Sequence, residues 1–342
     1  RNAIALFQRT AASVPAYRAF LRERGVAAAD VRTPADFSRL PLMTKDEYLR
    51  RWPLAERCRT GDVADLDMIA FSSGSTGAPK RWPRSAADEL AVAARFEQVF
   101  VGSFDARARR TLAIVCFPLG TWVGGMYTAS ACRHLAARGL RVTTVTPGNV
   151  PSEILRVVRA LSPSFDQTVL LGYPPFLKDV VDAGTAEGVP WRDFSIKLVL
   201  AGEVFSEEWR ALMAERAGMT RILFDSASLY GTADAGVLGT ETPLTVAIRR
   251  FAGEDESAAR ALFGQTRLPT LVQYDPMARY FEEHEGTLVF TADGGVPLVR
   301  YHIADDGGVV PFEAMLERVR ALGFDPNPHL AHAPALPFVY VF

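Results

Sequence analysis

Two stretches of this chain carry residue types whose spacing could bind a ligand, one by cradling an anion and the other by accepting hydrogen bonds. Ser72-Ser-Gly-Ser-Thr-Gly-Ala-Pro-Lys80 follows an apolar run at 68–71 and precedes Arg81 and Arg84. Its two glycines let backbone N–H groups turn toward an anion, its serines and threonine add hydroxyl donors, and Lys80 adds a point charge, which is how a loop cradles phosphates. The G-x-x-x-x-G-K-[ST] spacing of a Walker A loop is absent, so the phosphate chemistry is of another kind. Further on, Asp305-Asp306-Gly307-Gly308 offers acceptor-only carboxylates, which taken alone make an acidic turn. No G-x-S-x-G elbow and no H-E-x-x-H helix occurs, so hydrolase chemistry has no anchor.

The elements that must hold these residues are legible as alternating runs. Residues 1–60 read as helical and surface-like, with one long helix over 5–24 and a short helix that Thr44 caps and that carries Glu47 at its third position. Beyond Asp67, apolar runs at 68–71, 112–117, 142–145, 169–171, 197–200 and 221–224 alternate with amphipathic helices such as 154–161 and 207–217. Strands fed by crossover helices imply an α/β fold with a largely parallel sheet covered on both faces. From about Pro269 strands and turns dominate, and 287–291 with 296–301 flank Ala292-Asp-Gly-Gly295 as a hairpin. The organisation expected is therefore a helical segment at 1–66, α/β subdomains at 67–268 and a smaller β-rich lobe at 269–342.

Composition narrows the function. With 342 residues, 49% hydrophobic and 23% charged, the chain is a folded protein of two or three lobes. Its 38 basic and 39 acidic residues leave a net charge of −1, which removes the electrostatic footprint of a dedicated nucleic-acid binder. Cys58, Cys116 and Cys132 form no CxxC pair, so neither a disulfide framework nor a zinc ribbon is readable and a reducing, cytoplasmic compartment is expected. The opening residues lack the apolar core of a secretion signal. No charge appears over residues 111–132, but Pro118, Gly120, Gly124 and Gly125 divide that stretch into a strand, a tight loop and a helix opening near Gly124, so a membrane span is not expected. The apolar run at 336–342 calls for a further pairing element.

The nine residues from Ser72 to Lys80 resemble the phosphate-loop signature of the adenylate-forming superfamily, [ST]-S-G-[ST]-T-G-x-P-K, at each fixed position. Three further blocks follow in that family's order: Ala201-Gly-Glu-Val-Phe-Ser-Glu-Glu-Trp209, Ser228-Leu-Tyr-Gly-Thr-Ala-Asp234, and Pro297-Leu-Val-Arg-Tyr-His-Ile-Ala-Asp305. Within the superfamily, Phe117-Pro-Leu-Gly-Thr-Trp-Val-Gly-Gly125 and the compact spacing look most like phenylacetate-CoA ligases. The resemblance covers about residues 14–305, the large N-terminal part of such enzymes. It implies that a hinge and a small C-terminal domain with a catalytic lysine would follow Phe342, since no lysine occurs after Lys197.

That resemblance implies a reaction in which a carboxylate attacks the α-phosphate of ATP, pyrophosphate leaves, and a thiol then takes the acyl group, most simply that of CoA. Charge develops on phosphate oxygens, so catalysis rests on positioning and electrostatics. By the same resemblance Ser72, Ser73, Gly74, Ser75, Thr76, Gly77 and Lys80 would hold phosphates, with Thr76, Thr232 and Asp234 catalytic. Ala201, Gly202 and Glu203 would line the adenine edge, with Ser228, Leu229, Tyr230 and Gly231 flanking the base and Asp305 accepting from both ribose hydroxyls. Asp234 stands where the family carries a Mg2+-binding glutamate, and Ala233, His302 and Ala304 replace a hydroxyl residue, an arginine and a glycine. Phe117, Trp122, Gly124, Tyr173 and Gly202 would border the acid, with Tyr127 and Phe205 in neighbouring segments, favouring an aryl or arylacetic acid. Delivery to a phosphopantetheinyl carrier protein is the second reading, a catalytically weak nucleotide-binding or regulatory homologue the third, and a homodimer is admitted.

Overall fold

The computed structural model describes residues 1–72 and 80–342, and the side chains of Asp65, Ser72 and Lys80 also lie outside that description. The N-terminal helical stretch is two helices, Asn2–Ser13 and Pro15–Glu23, rather than one. Val14 is extended because a residue before proline is pushed out of the α region, and Pro15 then opens the second helix, where its missing N–H costs nothing. Thr44 caps as expected, its Oγ1 accepting from Glu47 N at 3.1 Å. Phe7, Tyr17, Phe20 and Tyr48 of this segment are fully buried in one cluster with Phe290 and Tyr301.

The strands in chain order are β1 (Met68–Ser72), β2 (Lys80–Arg84), β3 (Thr111–Val115), β4 (Val142–Val145), β5 (Gln167–Gly172), β6 (Ile196–Ala201), β7 (Ser226–Thr232), β8 (Gly236–Thr240), β9 (Thr270–Gln273), β10 (Arg279–His284), β11 (Thr287–Ala292), β12 (Leu298–Val310) and β13 (Phe338–Val341). Strands β1 and β2 form an antiparallel pair of their own, and the others form an 11-stranded sheet in the order β10-β11-β12-β13-β9-β8-β7-β6-β5-β3-β4. From β4 to β7 neighbouring strands are parallel; from β7 to β10 they are antiparallel. The parallel half is covered on both faces. Ala113, Val115, Val169, Leu171 and Val199 point to the helices Ala86–Gly102 and Val123–Ala137, while Leu112, Ile114, Leu170, Leu198 and Leu200 point to Pro151–Leu161, Pro174–Ala186 and Glu207–Ala217.

Two expectations change here. The run 221–224 is a turn, not a strand: Phe224 N and Asp225 N both bond Arg221 O, and the strand begins five residues later at Ser226. Asp225 explains the shift, since its carboxylate accepts from Arg221 N at 2.8 Å and pairs with buried Lys197, closing the turn ahead of the strand. Strands β8 and β9 carry the sheet from its parallel half into its antiparallel half. The apolar run near 336–342 finds its partners within the described chain: β13 lies between β12 and β9, paired on both sides.

Strand β12 turns as it runs. Its first part pairs with β11 and its last residues, Gly307 to Val310, pair with β13. Between them the register slips around Leu288, and both Arg300 (φ 48°) and Ala304 (φ 64°) adopt left-handed backbone. Such conformations cost a residue with a Cβ about 1 kcal/mol or more, so the bulge must be held from outside. Met43 does so from the N-terminal segment: its N bonds Arg300 O at 3.0 Å and its O accepts from His302 N at 2.8 Å. Arg300 itself donates to Glu282 at 3.0 Å and to Leu40 O. Among the described residues no helix is long and apolar enough to cross a membrane.

Candidate active site

In a parallel sheet, ligands collect where strands end at their carboxyl edge. Four of the sequence-derived candidates lie at such ends: Phe117 just beyond β3, Tyr173 just after β5, Gly202 just after β6, and Thr232 closing β7. Phe117 and Tyr173 meet edge to face with ring centroids 5.2 Å apart. Gly202 has φ +93°, and a Cβ built there would stand 2.2 Å from the Tyr173 ring. Only glycine allows both that backbone and that approach.

The hairpin of β1 and β2 brings the phosphate-loop ends to the same edge. Ser72 pairs with Lys80 across the hairpin, while Phe71 bridges to Trp122 and its N donates to Thr121 O at 2.7 Å. Ser73, Gly74, Ser75, Thr76 and Gly77 lie outside the described residues, as do the side chains of Ser72 and Lys80. Trp122 precedes the helix Val123–Ala137 and is 41% exposed beside that hairpin. A Cβ built on Gly124 would lie an ordinary 3.8 Å from the Phe117 ring, so alanine would fit there. Gly125 is the sterically required neighbour, with a built Cβ 2.1 Å from Pro118 O.

The two tyrosine–aspartate blocks face each other. Tyr230 Oη donates to Asp305 Oδ2 at 2.8 Å, and Tyr301 Oη donates to Asp234 Oδ2 at 3.1 Å. Burial raises the Asp305 pKa, Tyr230's hydrogen bond opposes that rise, and neighbouring Asp306 adds to it. Burial also pushes both phenols well above their ordinary value, each helped by the aspartate it faces, so both hydroxyls stay protonated donors. The turn bearing Asp234 is pinned: Thr232 Oγ1 accepts from Ala235 N at 3.1 Å, Arg84 donates to Ala233 O at 2.5 Å, and Arg279 donates to Ala235 O at 3.3 Å. Gly231 is needed where β7 crosses β8, its built Cβ lying 2.8 Å from Gly236 O. His302 is turned to Thr287, with Nε2 2.8 Å from Oγ1, and burial followed by repulsion from His284 lowers its pKa.

Beneath the segments after β6 and within β7 sits a cluster that sequence reasoning missed. Arg210 and Arg249, both buried, share Glu241 at 2.8 and 3.0 Å and Glu207 at 2.9 and 3.0 Å. Arg210 also donates to Ser226 Oγ at 2.6 Å, Arg249 to Phe205 O at 2.9 Å, and Ser228 N to Glu241 at 2.7 Å. Two positive and two negative groups pair with one another and tie 205–210, β7 and the end of β8 together, with only Arg249 Nε of the two guanidinium groups left without a partner. Burial works against the Glu241 carboxylate, but the two guanidinium groups outweigh it and hold its pKa below the ordinary value. The cluster puts Ser228 and Leu229 inside the protein, and it claims Phe205, whose ring lies under the Arg210 guanidinium at 4.9 Å. Tyr127 is likewise committed inward, donating to Asp88 O at 3.2 Å. A signal was present: the helix Pro243–Glu254 buries Thr245, Ile248 and Ala252 at helical spacing, and a charge such as Arg249 in that stripe demands a buried partner.

For Mg2+, the donor set is the test. Among the described residues no group of three His, Cys, Asp or Glu side chains could enclose a metal ion. Mg2+ at phosphate-handling sites takes one or two carboxylates and completes its shell with phosphate oxygens and water. Asp234, held by Tyr301, fits that role and no all-protein cage.

No protein-family model and no curated protein matches this sequence. Solved structures do match. An open conformation of 2-hydroxyisobutyryl-CoA ligase in complex with 2-HIB-AMP and CoA superposes with a TM-score of 0.63 at 16% identity, over 91% of this chain and 69% of that one. The same ligase in its thioesterification state gives 0.62 at 16% identity over 90% and 63%, and its postadenylation state with 2-HIB-AMP gives 0.61 over 90% and 63%. This chain therefore spans about 63–69% of the length of those ligases. At that identity the match speaks for architecture, and the chain has the fold of the adenylate-forming acyl-CoA ligases.

Proposed function

We propose that this chain activates a carboxylic acid with ATP to an acyl-adenylate and passes the acyl group to the thiol of CoA. The observation that carries the reading is convergence: Phe117, Tyr173, Gly202 and Thr232 at successive strand ends, the hairpin of β1 and β2 beside them, and Tyr230 bonded to Asp305. Asp305 would accept from ribose hydroxyls, Ala201 to Glu203 and Tyr230 would bound the adenine, and Ser72 to Lys80 would hold phosphates. Asp234 would hold Mg2+, which when bound offsets phosphate charge. The chain's own part is to orient the acid against the α-phosphate and to keep donors facing the oxygens where charge grows. The Phe117–Tyr173 corner, with Trp122 on the same edge, supports a planar aryl or arylacetic acid of the phenylacetate-CoA ligase kind.

Calorimetry with an aryl-sulfamoyl adenosine, a nonhydrolysable mimic of the adenylate, tests this directly. Binding with at least tenfold preference over a long-alkyl analogue is expected. Absence of binding by either analogue would sink the proposal, and equal binding would remove the aryl preference alone.

A further inference from the structure

The two blocks share a spacing, and the structure uses it. Tyr230 precedes Asp234 by four residues and Tyr301 precedes Asp305 by four. The bonds cross: Tyr230 reaches Asp305 and Tyr301 reaches Asp234. Equal spacing with crossed partners means that the two segments run in opposite senses past one another, each tyrosine opposite the other segment's aspartate. Strands β7 and β12 are not neighbours in the sheet, with β8, β9 and β13 between them in the strand order. Side chains from the two blocks nevertheless meet, because β12 bends at Arg300 and Ala304 and is clamped by Met43.

We infer that Tyr230 and Tyr301 are positioning residues with separate tasks: the Tyr230 hydroxyl orients Asp305 toward the ribose, and the Tyr301 hydroxyl orients Asp234 toward Mg2+. The inference rests on the acyl-adenylate reading above and assigns residues within that site. An ionised carboxylate has about four acceptor positions, so one phenol fixes its plane and still leaves room for further donors. A carboxylate one methylene shorter than glutamate has less reach of its own, and a phenol donating from the opposite strand sets where it points. Hydrogen bonds to metal-binding carboxylates matter about 10- to 100-fold in metal affinity. A single hydrogen bond to a charged group that faces a ligand matters about tenfold or more.

The test uses calorimetry on this chain with two ligands: the aryl-sulfamoyl adenosine without metal, and ATP over a series of Mg2+ concentrations. Tyr230→Phe is expected to weaken the analogue about tenfold and leave the Mg2+ midpoint for ATP binding within twofold. Tyr301→Phe is expected to raise that midpoint about tenfold and leave the analogue within twofold. In double variants, Tyr230→Phe should cost nothing further beside Asp305→Asn, nor Tyr301→Phe beside Asp234→Asn. Both phenyl variants weakening both ligands alike, or lowering only the melting temperature, would overturn the division of tasks. If a phenyl variant does not fold, Asp305→Asn and Asp234→Asn alone must show the same split, and a shared phenotype refutes it. A wild-type chain that binds neither ligand overturns the functional reading itself, whereas one that binds both with unresponsive variants overturns only the tyrosine roles.

Discussion

The two halves of the sheet contribute to the candidate site in opposite ways. In the parallel half β3, β5 and β6 are buried almost without interruption, and the candidate residues begin only where they stop, at Phe117, Tyr173 and Gly202. In the antiparallel half the candidate residues lie within a strand: Tyr301 and Asp305 belong to β12, which carries two left-handed non-glycine residues and a register slip. The first half places side chains through regular structure supported from below. The second places them through local strain supported from the side by Met43 and Glu282. Rigid support and stored strain are two routes to a preorganised site, and mutation should tell them apart.

The comparison breaks most readily at the buried cluster. Arg249→Met leaves Glu241 and Glu207 short of one partner, and removing one member of a buried ion network costs about 3–5 kcal/mol, so denaturant unfolding should show a loss of that size. A loss under about 1 kcal/mol would mean the support under β7 is not electrostatic. Next comes Gly202→Ala, which drives a Cβ into the Tyr173 ring from a left-handed backbone; about 1–3 kcal/mol of stability and most adenylate-analogue affinity should go. Adding Tyr173→Ala should restore part of the stability by removing the clash, which a purely backbone effect would not allow.

The strained half should respond with the opposite sign. Ala304→Gly removes the penalty of a Cβ at φ 64° and should stabilise the chain by about 1 kcal/mol in the same unfolding experiment. The smallest effect is that of Asp305→Asn. The Asp305 pKa is raised above 3.8, so the folded chain binds this proton more readily than the unfolded one, and the group costs stability once pH climbs above that range. Asp305→Asn should therefore raise the melting temperature slightly at pH 7, the gain fading below about pH 4, while adenylate-analogue binding weakens about tenfold or more. A gain unchanged down to pH 3 would show that the carboxylate's burial is not its source.

The parallel half was readable because burial on both faces writes continuous apolar runs. The runs at 112–117, 142–145, 169–171 and 197–200 all became strands. The run at 221–224 misled because Ile222, Leu223 and Phe224 are apolar enough for a strand while Asp225, the residue that makes the turn, reads as an ordinary polar boundary. β8, with Gly236 and Gly239 among its five residues, has too weak a signature to stand out. Motif blocks located the tyrosines and aspartates, but which pairs with which depends on β12 bending back, a long-range event with no local sequence mark. Ala304 holds a left-handed backbone that glycine would take without penalty, and an alanine gives no sign of it in the sequence.

The place of β13 has a consequence for how the chain reaches this state. Strand β13 is an interior strand, seated between β12 and β9 with Phe338 opposite Gln273 and Val341 opposite Thr270. Residues 338–341 follow both β9 and β12 in the chain, so until they are in place those two strands keep open edges that face each other across a one-strand gap. Closing that gap is a zipper step of high sequence separation, and it makes residues 338–341 the strand that seals the antiparallel half.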